Sequence, residues 1–214
     1  MILYLIRHGQ SEANLKGIIQ GHRDYPLSHL GKKQALLLGK YFGDSKRKVD
    51  LIYSSDLTRA YLTAKEIAYA NQKTVTSLEI LREVGLGPLE GLTRAEMKNM
   101  FPLLKPESLL TSGISGTEEV ESITSRCLQI KNMLSQIPPD KTVVMVSHGG
   151  FISMFLMYLM AGEQWMTLDR PFIIGNTGVS KIEWNKGTKT KFHYINRLSH
   201  LESEAGFETA SILY

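Results

Sequence analysis

Apolar residues run without interruption through Ile2, Leu3, Tyr4, Leu5 and Ile6 and stop at Arg7. A run this short and free of alternation predicts a strand buried on both faces, near the centre of a sheet covered by helices. A second run, Thr142–Ser147 (TVVMVS), is richer in β-branched residues and predicts a central parallel strand. Between them the period lengthens. Ala35, Leu36, Leu38 and Tyr41 form a helical stripe over about 30–43 with Ser28 placed to cap it, and residues 50–54 and 56–70 read as a strand and a helix, the latter with Tyr61, Ala64, Ile67 and Ala68 on one face. A short strand is expected near 74–78, then a glycine-rich loop over 79–91. Thr93 and Glu96 form a capping box for a helix ending near Met100. A long helix over 118–137 has acidic residues in its first turn, where the helix dipole favours them, and Gly149-Gly150 opens an apolar helix to about Met160. Residues 178–184 and 190–196 alternate weakly around Asn185-Lys186-Gly187, the pattern of a hairpin. Two stretches lack periodicity: 7–27, long for a loop in a compact domain and therefore a place to look for function, and 102–116, a surface excursion that could lie over a site.

Strands and helices alternate over most of the length, which predicts an α/β three-layer α/β/α sandwich with a mixed, mostly parallel sheet. At 214 residues and 43% apolar content the chain suits a single domain over 1–214, with no structure forced on the residues after about 197. Charge narrows the partners. Twenty-five basic against 21 acidic residues leave +4, spread without like-charge blocks, so no nucleic-acid role is expected. Cys127 is the single cysteine, which rules out an internal disulfide and a four-thiolate zinc site. The opening MILYLI has no basic residues before it and no small-residue cleavage site after it, and the run 151–161 is far short of the roughly 20 residues that a membrane helix needs. A cytoplasmic protein with no membrane association is the expectation; oligomeric state is not legible.

The two central strands each end in a His-Gly pair: Arg7-His8-Gly9 and Ser147-His148-Gly149-Gly150. If they are parallel neighbours, both imidazoles stand at one sheet edge, where α/β sheets bind ligands. Glycine after each histidine allows a close approach to a ligand, and Gly149 lies at a helix N-terminus whose free N–H groups favour anions. Arg59, in Ser54-Ser55-Asp56-Leu57-Thr58-Arg59-Ala60, comes from another strand-to-helix junction. With Arg7 it would make a pair of permanent cations matched to phosphate oxygens. Phosphoryl transfer needs an in-line nucleophile, neutralisation of the equatorial oxygens and a proton for the leaving oxygen. His8 can attack only as neutral imidazole, and nearby arginines would keep it so. A carboxyl at its ordinary pKa is almost wholly ionised at pH 7, so the proton donor needs a neighbour that favours its acid form, which a bound phosphate dianion supplies. Glu83, at the start of the glycine-rich loop, is the first candidate and Glu90 the second.

Taken together, LIRHGQSEAN, QGHRDYPLSHLGKKQA, SSDLTRAYLTA, LREVGLGPLEG and VSHGG, in this order and spacing, resemble the histidine phosphatase superfamily. The resemblance spans nearly the whole chain and points to the branch of cofactor-dependent phosphoglycerate mutases and small broad-specificity phosphatases. It implies a phosphoglycerate mutase-like fold, His8 as the phosphorylated nucleophile, Arg7, Arg59 and His148 on the phosphate, and Glu83 as proton donor. It also implies that Ser11 and Asn14 lie near the phosphoryl site and that Gln20 and Gly21 line the substrate entrance. Family mutases carry a Glu-Arg-His-Tyr-Gly type segment around the acid, together with extra residues enclosing a bisphosphate. Here the segment is LREVGLG and the chain is short, which favours a phosphatase acting on a small phosphorylated substrate, with no metal or cofactor required. A mutase, and a non-catalytic phosphate-binding protein on the same fold, are the alternatives.

Overall fold

The computed structural model describes residues 1–44, 47–169, 172–184 and 190–202. Six strands, β1 (Ile2–Arg7), β2 (Leu51–Ser54), β3 (Val75–Ser77), β4 (Thr142–Ser147), β5 (Val179–Glu183) and β6 (Lys191–Arg197), form one sheet in the order β3-β2-β4-β1-β5-β6. The first four positions are parallel; β5 and β6 run antiparallel at one edge. Ile2 is level with Thr142 and Arg7 with Ser147, so the two unbroken apolar runs end side by side.

The α-helices among the described residues are α1 (Glu12–Leu15), α2 (His29–Gly43), α3 (Thr58–Asn71), α4 (Arg94–Met100), α5 (Val120–Leu134) and α6 (Gly149–Ala161). The sheet pleat sends alternate side chains to opposite layers. Tyr4, Ile6, Val144 and Val146 pack with Leu38 and Phe42 of α2 and Ala60, Ala64 and Ile67 of α3. Leu3, Leu5, Val143 and Met145 pack with Ile123, Cys127 and Ile130 of α5 and Phe151 and Phe155 of α6. Each fully buried Leu, Ile or Phe contributes about 1.5–3 kcal/mol, which is why residues 3–6 of β1 and 143–146 of β4 are apolar at consecutive positions instead of alternating. The three-layer sandwich follows from that.

Local departures have local causes. The stretch 7–27 contains the short α1, for which Ser11 and Asn14 make a capping box. Leu36 is 49% exposed because α2 buries Gly31, Gln34, Ala35, Leu38, Gly39 and Phe42, and position 36 falls on the opposite side. α3 begins at Thr58, and Asp56 lies outside it, bonded to Arg82. α5 begins at Val120, with Glu118 before it accepting from Gly85 N and pairing with Arg126 at 2.7 Å. The 102–116 excursion contains a 3-10 segment, Pro106–Thr111. β5 and β6 make the expected antiparallel pair, while Asn185-Lys186-Gly187 and residues 203–214 lie outside the described residues. Among the described residues no helix is long and apolar enough to cross a membrane.

Candidate active site

His8 follows β1 and His148 follows β4. Because the strands are in register, the rings meet with centroids 5.1 Å apart at an interplanar angle of 60°. His8 Nδ1 lies 2.6 Å from Gly9 O. A carbonyl only accepts, so Nδ1 carries the hydrogen and Nε2 keeps its lone pair. His8 is buried, and its pKa is held well below 6.5, first by loss of hydration and then by the Arg59 and Arg7 guanidinium groups. The arginines expected to keep His8 neutral thus act second to burial.

Arg59 lies on the buried face of α3 with Ala60 and Thr63, which places a guanidinium where that helix meets the sheet. Two of its nitrogens donate to Arg23 O and Gly21 O at 2.9 Å, and Nε, although buried, has no hydrogen-bond partner. Burial lowers its pKa to about 10, so it remains a cation at neutral pH. Arg7 donates to Ile174 O at 2.7 Å. His148 Nε2 lies 2.9 Å from Ser55 Oγ, and Nδ1 is buried without a partner. Burial, then Arg59, hold the His148 pKa well below 6.5.

Glu83 is delivered by the loop between β3 and α4. Arg126 of α5 clamps that loop by donating to the carbonyls of Ile80 and Arg82, and His22 Nε2 donates to Glu83 O at 2.8 Å. The Glu83 carboxylate sits on the N-terminus of α6: Oε1 accepts from Val84 N and Phe151 N, and Oε2 from Gly150 N. The α6 N–H groups expected to face a phosphate therefore hold the Glu83 carboxylate. Gly150 makes that possible, since a Cβ there would come within 2.8 Å of Glu83 Oε1. Glu90 is used differently: its Oε1 joins His22 N and Leu86 N, which ties two loops together.

A cavity of about 900 Å³ opens at this edge and is lined by Arg7, His8, Arg59 and Glu83, together with Asn14, Gln20 and Gly21. Of the residues singled out from sequence, His148, Ser11, Gly149 and Glu90 do not line it. His148 lies behind, against His8. Ser11 is buried, capping α1 and donating to Gln20 Oε1 at 2.8 Å. Gly149 backs onto Arg7, whose Nε would lie 3.2 Å from a Cβ at that position. Gly9 likewise serves packing, because a Cβ would come within 2.6 Å of Gly31 O in α2. Both glycines therefore admit protein atoms, and neither has a positive φ.

An edge bearing two neutral imidazoles, two guanidinium groups and an anchored carboxylate offers the groups that phosphoryl transfer calls for, and the comparisons with known proteins bear on the class of enzyme. Residues 3–197 match the histidine phosphatase superfamily (branch 1). The chain belongs to that family. A broad-specificity phosphatase of Saccharomyces cerevisiae is 30% identical over 194 residues, covering 87% of this chain and 81% of that protein. Among solved structures, a mutant phosphoserine phosphatase from Entamoeba histolytica in complex with phosphoserine gives a TM-score of 0.74 at 31% identity, covering 94% of this chain and 98% of that one. Mycobacterial glucosyl-3-phosphoglycerate phosphatase in complex with VO3 gives 0.78 at 28% identity, over 92% and 99%. The relatives are named phosphatases, and this chain is an enzyme of that class.

Several residues of this histidine phosphatase that support the site are not evident in the sequence pattern. Thr63 accepts from Gly9 N, and Ser55 holds His148. Asn176 Nδ2 donates to His8 O at 3.1 Å, and Thr177 N donates to the carbonyls of Arg7 and His8. Thr177 adopts a φ of 56°, which turns the chain back under β1. Thr177 Oγ1 gives its hydrogen to Asn176 O, and so accepts one from His200 Nε2. The one signal for them is the segment Gly175-Asn176-Thr177-Gly178, a turn between elements.

Proposed function

We propose that this phosphatase hydrolyses small phosphomonoesters through a phosphohistidine formed on Nε2 of His8. The observation that carries the reading is the neutral His8 ring with its Nδ1 hydrogen committed to Gly9 O, buried beside two guanidinium groups at the floor of the cavity. In this reading Nε2 attacks phosphorus in line with the ester oxygen, while Arg7, Arg59 and His148 balance charge on the equatorial oxygens. Arg59 Nε and His148 Nδ1, buried at this edge without a partner, are among the donors that serve those oxygens, with the Ser55 hydroxyl donating to His148 Nε2 and the ring hydrogen on Nδ1.

Glu83 protonates the leaving alkoxide. Its Oε1 already accepts two N–H bonds and Oε2 only one, so the transferable proton sits on Oε2. The phosphate dianion favours that proton. In the second half Glu83, now a carboxylate, takes a proton from water, whose oxygen attacks phosphorus as the P–N bond breaks and the electron pair returns to Nε2. Arg7, His8, Arg59, Glu83 and His148 thus carry the reaction, and Asn14, Gln20 and Gly21 shape the entrance. A cytoplasmic location belongs to the same proposal.

Incubation with a ³²P-labelled phosphomonoester, rapid quench and alkaline gel analysis tests this. The expected result is an acid-labile, alkali-stable label on the wild type that is absent from His8→Ala. Turnover with no label on His8 under single-turnover conditions would refute the phosphohistidine.

A further inference from the structure

Residues 82–86, which include Glu83, belong to no helix or strand. Backbone outside regular structure has to find its hydrogen-bond partners elsewhere. Here four consecutive carbonyls, those of Ile80, Leu81, Arg82 and Glu83, accept from side chains of other elements. Arg126 of α5 serves three of them: Nε and Nη2 donate to Ile80 O at 3.2 Å, Nη2 also to Arg82 O, and Nη1 reaches Glu83 O at 3.4 Å. Ser147 Oγ donates to Leu81 O at 2.7 Å. One planar cation thus grips the main chain on both sides of the Glu83 Cα.

The same guanidinium is fixed from two further directions. Its carbon lies 4.1 Å from the centroid of the Phe151 ring, and Nη1 pairs with both oxygens of Glu118, at 2.9 and 2.7 Å. Phe151 is also the residue whose N–H holds Glu83 Oε1 at 2.8 Å. Main chain and carboxylate of the acid are therefore referenced to one residue, the first through Arg126 and the ring, the second directly. Glu118 closes the other end of the segment: its carboxylate accepts from Gly85 N at 3.0 Å, and its own N–H donates to Gly85 O at 2.7 Å.

The side chains of Arg126 and Glu118 are both 11% exposed, and neither lines the cavity. A buried ion pair is a poor source of stability, because desolvation offsets much of the attraction. What this pair yields is a segment of irregular chain held in one place.

We propose that Arg126, held by Glu118, is the positioning residue for the general acid. It fixes the Glu83 main chain relative to the α6 N-terminus, so that the carboxyl reaches the leaving oxygen and, in the second half, the attacking water. This rests on the reading of Glu83 as the acid and goes beyond it by assigning a residue that touches no substrate.

The test compares ethyl phosphate with 4-nitrophenyl phosphate in the wild type, Glu83→Gln, Arg126→Lys and Glu118→Gln. Lysine keeps the positive charge but cannot fork across three carbonyls. Arg126→Lys is expected to lose roughly 10- to 100-fold in kcat/KM on ethyl phosphate, the scale of a misplacement of about 1 Å. Its kcat/KM on 4-nitrophenyl phosphate should change little, because that leaving group needs no proton. On the aryl ester kcat and KM should fall together, since breakdown of the phosphoenzyme still needs Glu83 to activate water. Glu118→Gln, which keeps the side-chain shape, should show the same pattern to a smaller extent, and it decides the question if Arg126→Lys does not fold. Equal losses on both esters, or no loss on ethyl phosphate, overturn the positioning role. If Glu83→Gln itself does not separate the two esters, Glu83 is not the acid and both readings fall; if it separates them and the other two variants do not, the positioning role alone falls.

Discussion

At the end of β1 the His8 ring gives its Nδ1 hydrogen to the next carbonyl and turns a bare Nε2 toward the cavity; at the end of β4 His148 binds Ser55 through Nε2 and keeps Nδ1 in reserve. The strands are parallel neighbours, both rings are buried, and burial lowers both pKa values. The difference lies in one hydrogen bond and in the next segment of chain. After His8 comes a loop; after His148 comes α6, whose N–H groups seat the Glu83 carboxylate. Two imidazoles in equivalent topological places thus have different nearest partners: in the proposed mechanism one strand end presents the nucleophile, the other a hydrogen-bond donor to the phosphate and the seat of the acid.

Exchange experiments test that division. His8→Ala should lower kcat by at least about 10⁴-fold and abolish the phosphoenzyme, as loss of a nucleophile does; equal losses for His8→Ala and His148→Ala in label formation would erase the distinction. Glu83→Gln should cost about 10²- to 10⁴-fold on alkyl esters. It should cost far less on 4-nitrophenyl phosphate, whose leaving group needs no proton, and equal losses on both would remove Glu83 as the acid. His148→Ala, which takes away one donor to the equatorial oxygens, should cost about 10²- to 10³-fold while still allowing His8 to be labelled in a slow burst.

The smallest effect concerns what the two junctions share. Both histidines are neutral when folded, as is His200, whose burial lowers its pKa to about 4. Once the pH falls below about 6.5 the unfolded chain binds protons that the folded chain refuses, so stability declines as pH drops from there toward 4. Each such histidine contributes about 1.4 kcal/mol per pH unit within that window. Urea titrations at pH 7 and pH 5 should show a smaller acid loss in His200→Asn than in the wild type; an identical pH dependence would mean that His200 is not held neutral.

A feature is legible in the sequence to the extent that it is local. The unbroken runs at 2–6 and 142–147 announce buried strands because both sheet faces are covered, and the ends of those runs locate His8 and His148. α1 escapes a reading by periodicity because four residues are too few to show a period, although Ser11 and Asn14 supply its capping box. Leu36 faces solvent and not the core because a stripe of four apolar residues leaves the helix phase loose. Asn176, through its side-chain Nδ2, and Thr177, through its backbone N, support the His8 carbonyl across a long separation, 168 residues for Asn176, and a contact at that range carries no sequence signature.

The chemistry on offer is written in one dimension: two histidines closing two apolar runs, two arginines, and an acid in a glycine-rich loop, spaced as the family spaces them. The work each group does comes from the fold. Register between β1 and β4 set the rings beside each other, burial made them neutral, and the α6 N-terminus holds the Glu83 carboxylate and not that of Glu90. Range explains the split: hydrophobic patterning acts between near neighbours and survives along the chain, whereas desolvation and hydrogen-bond partners depend on which distant segments come within a few ångströms of each other.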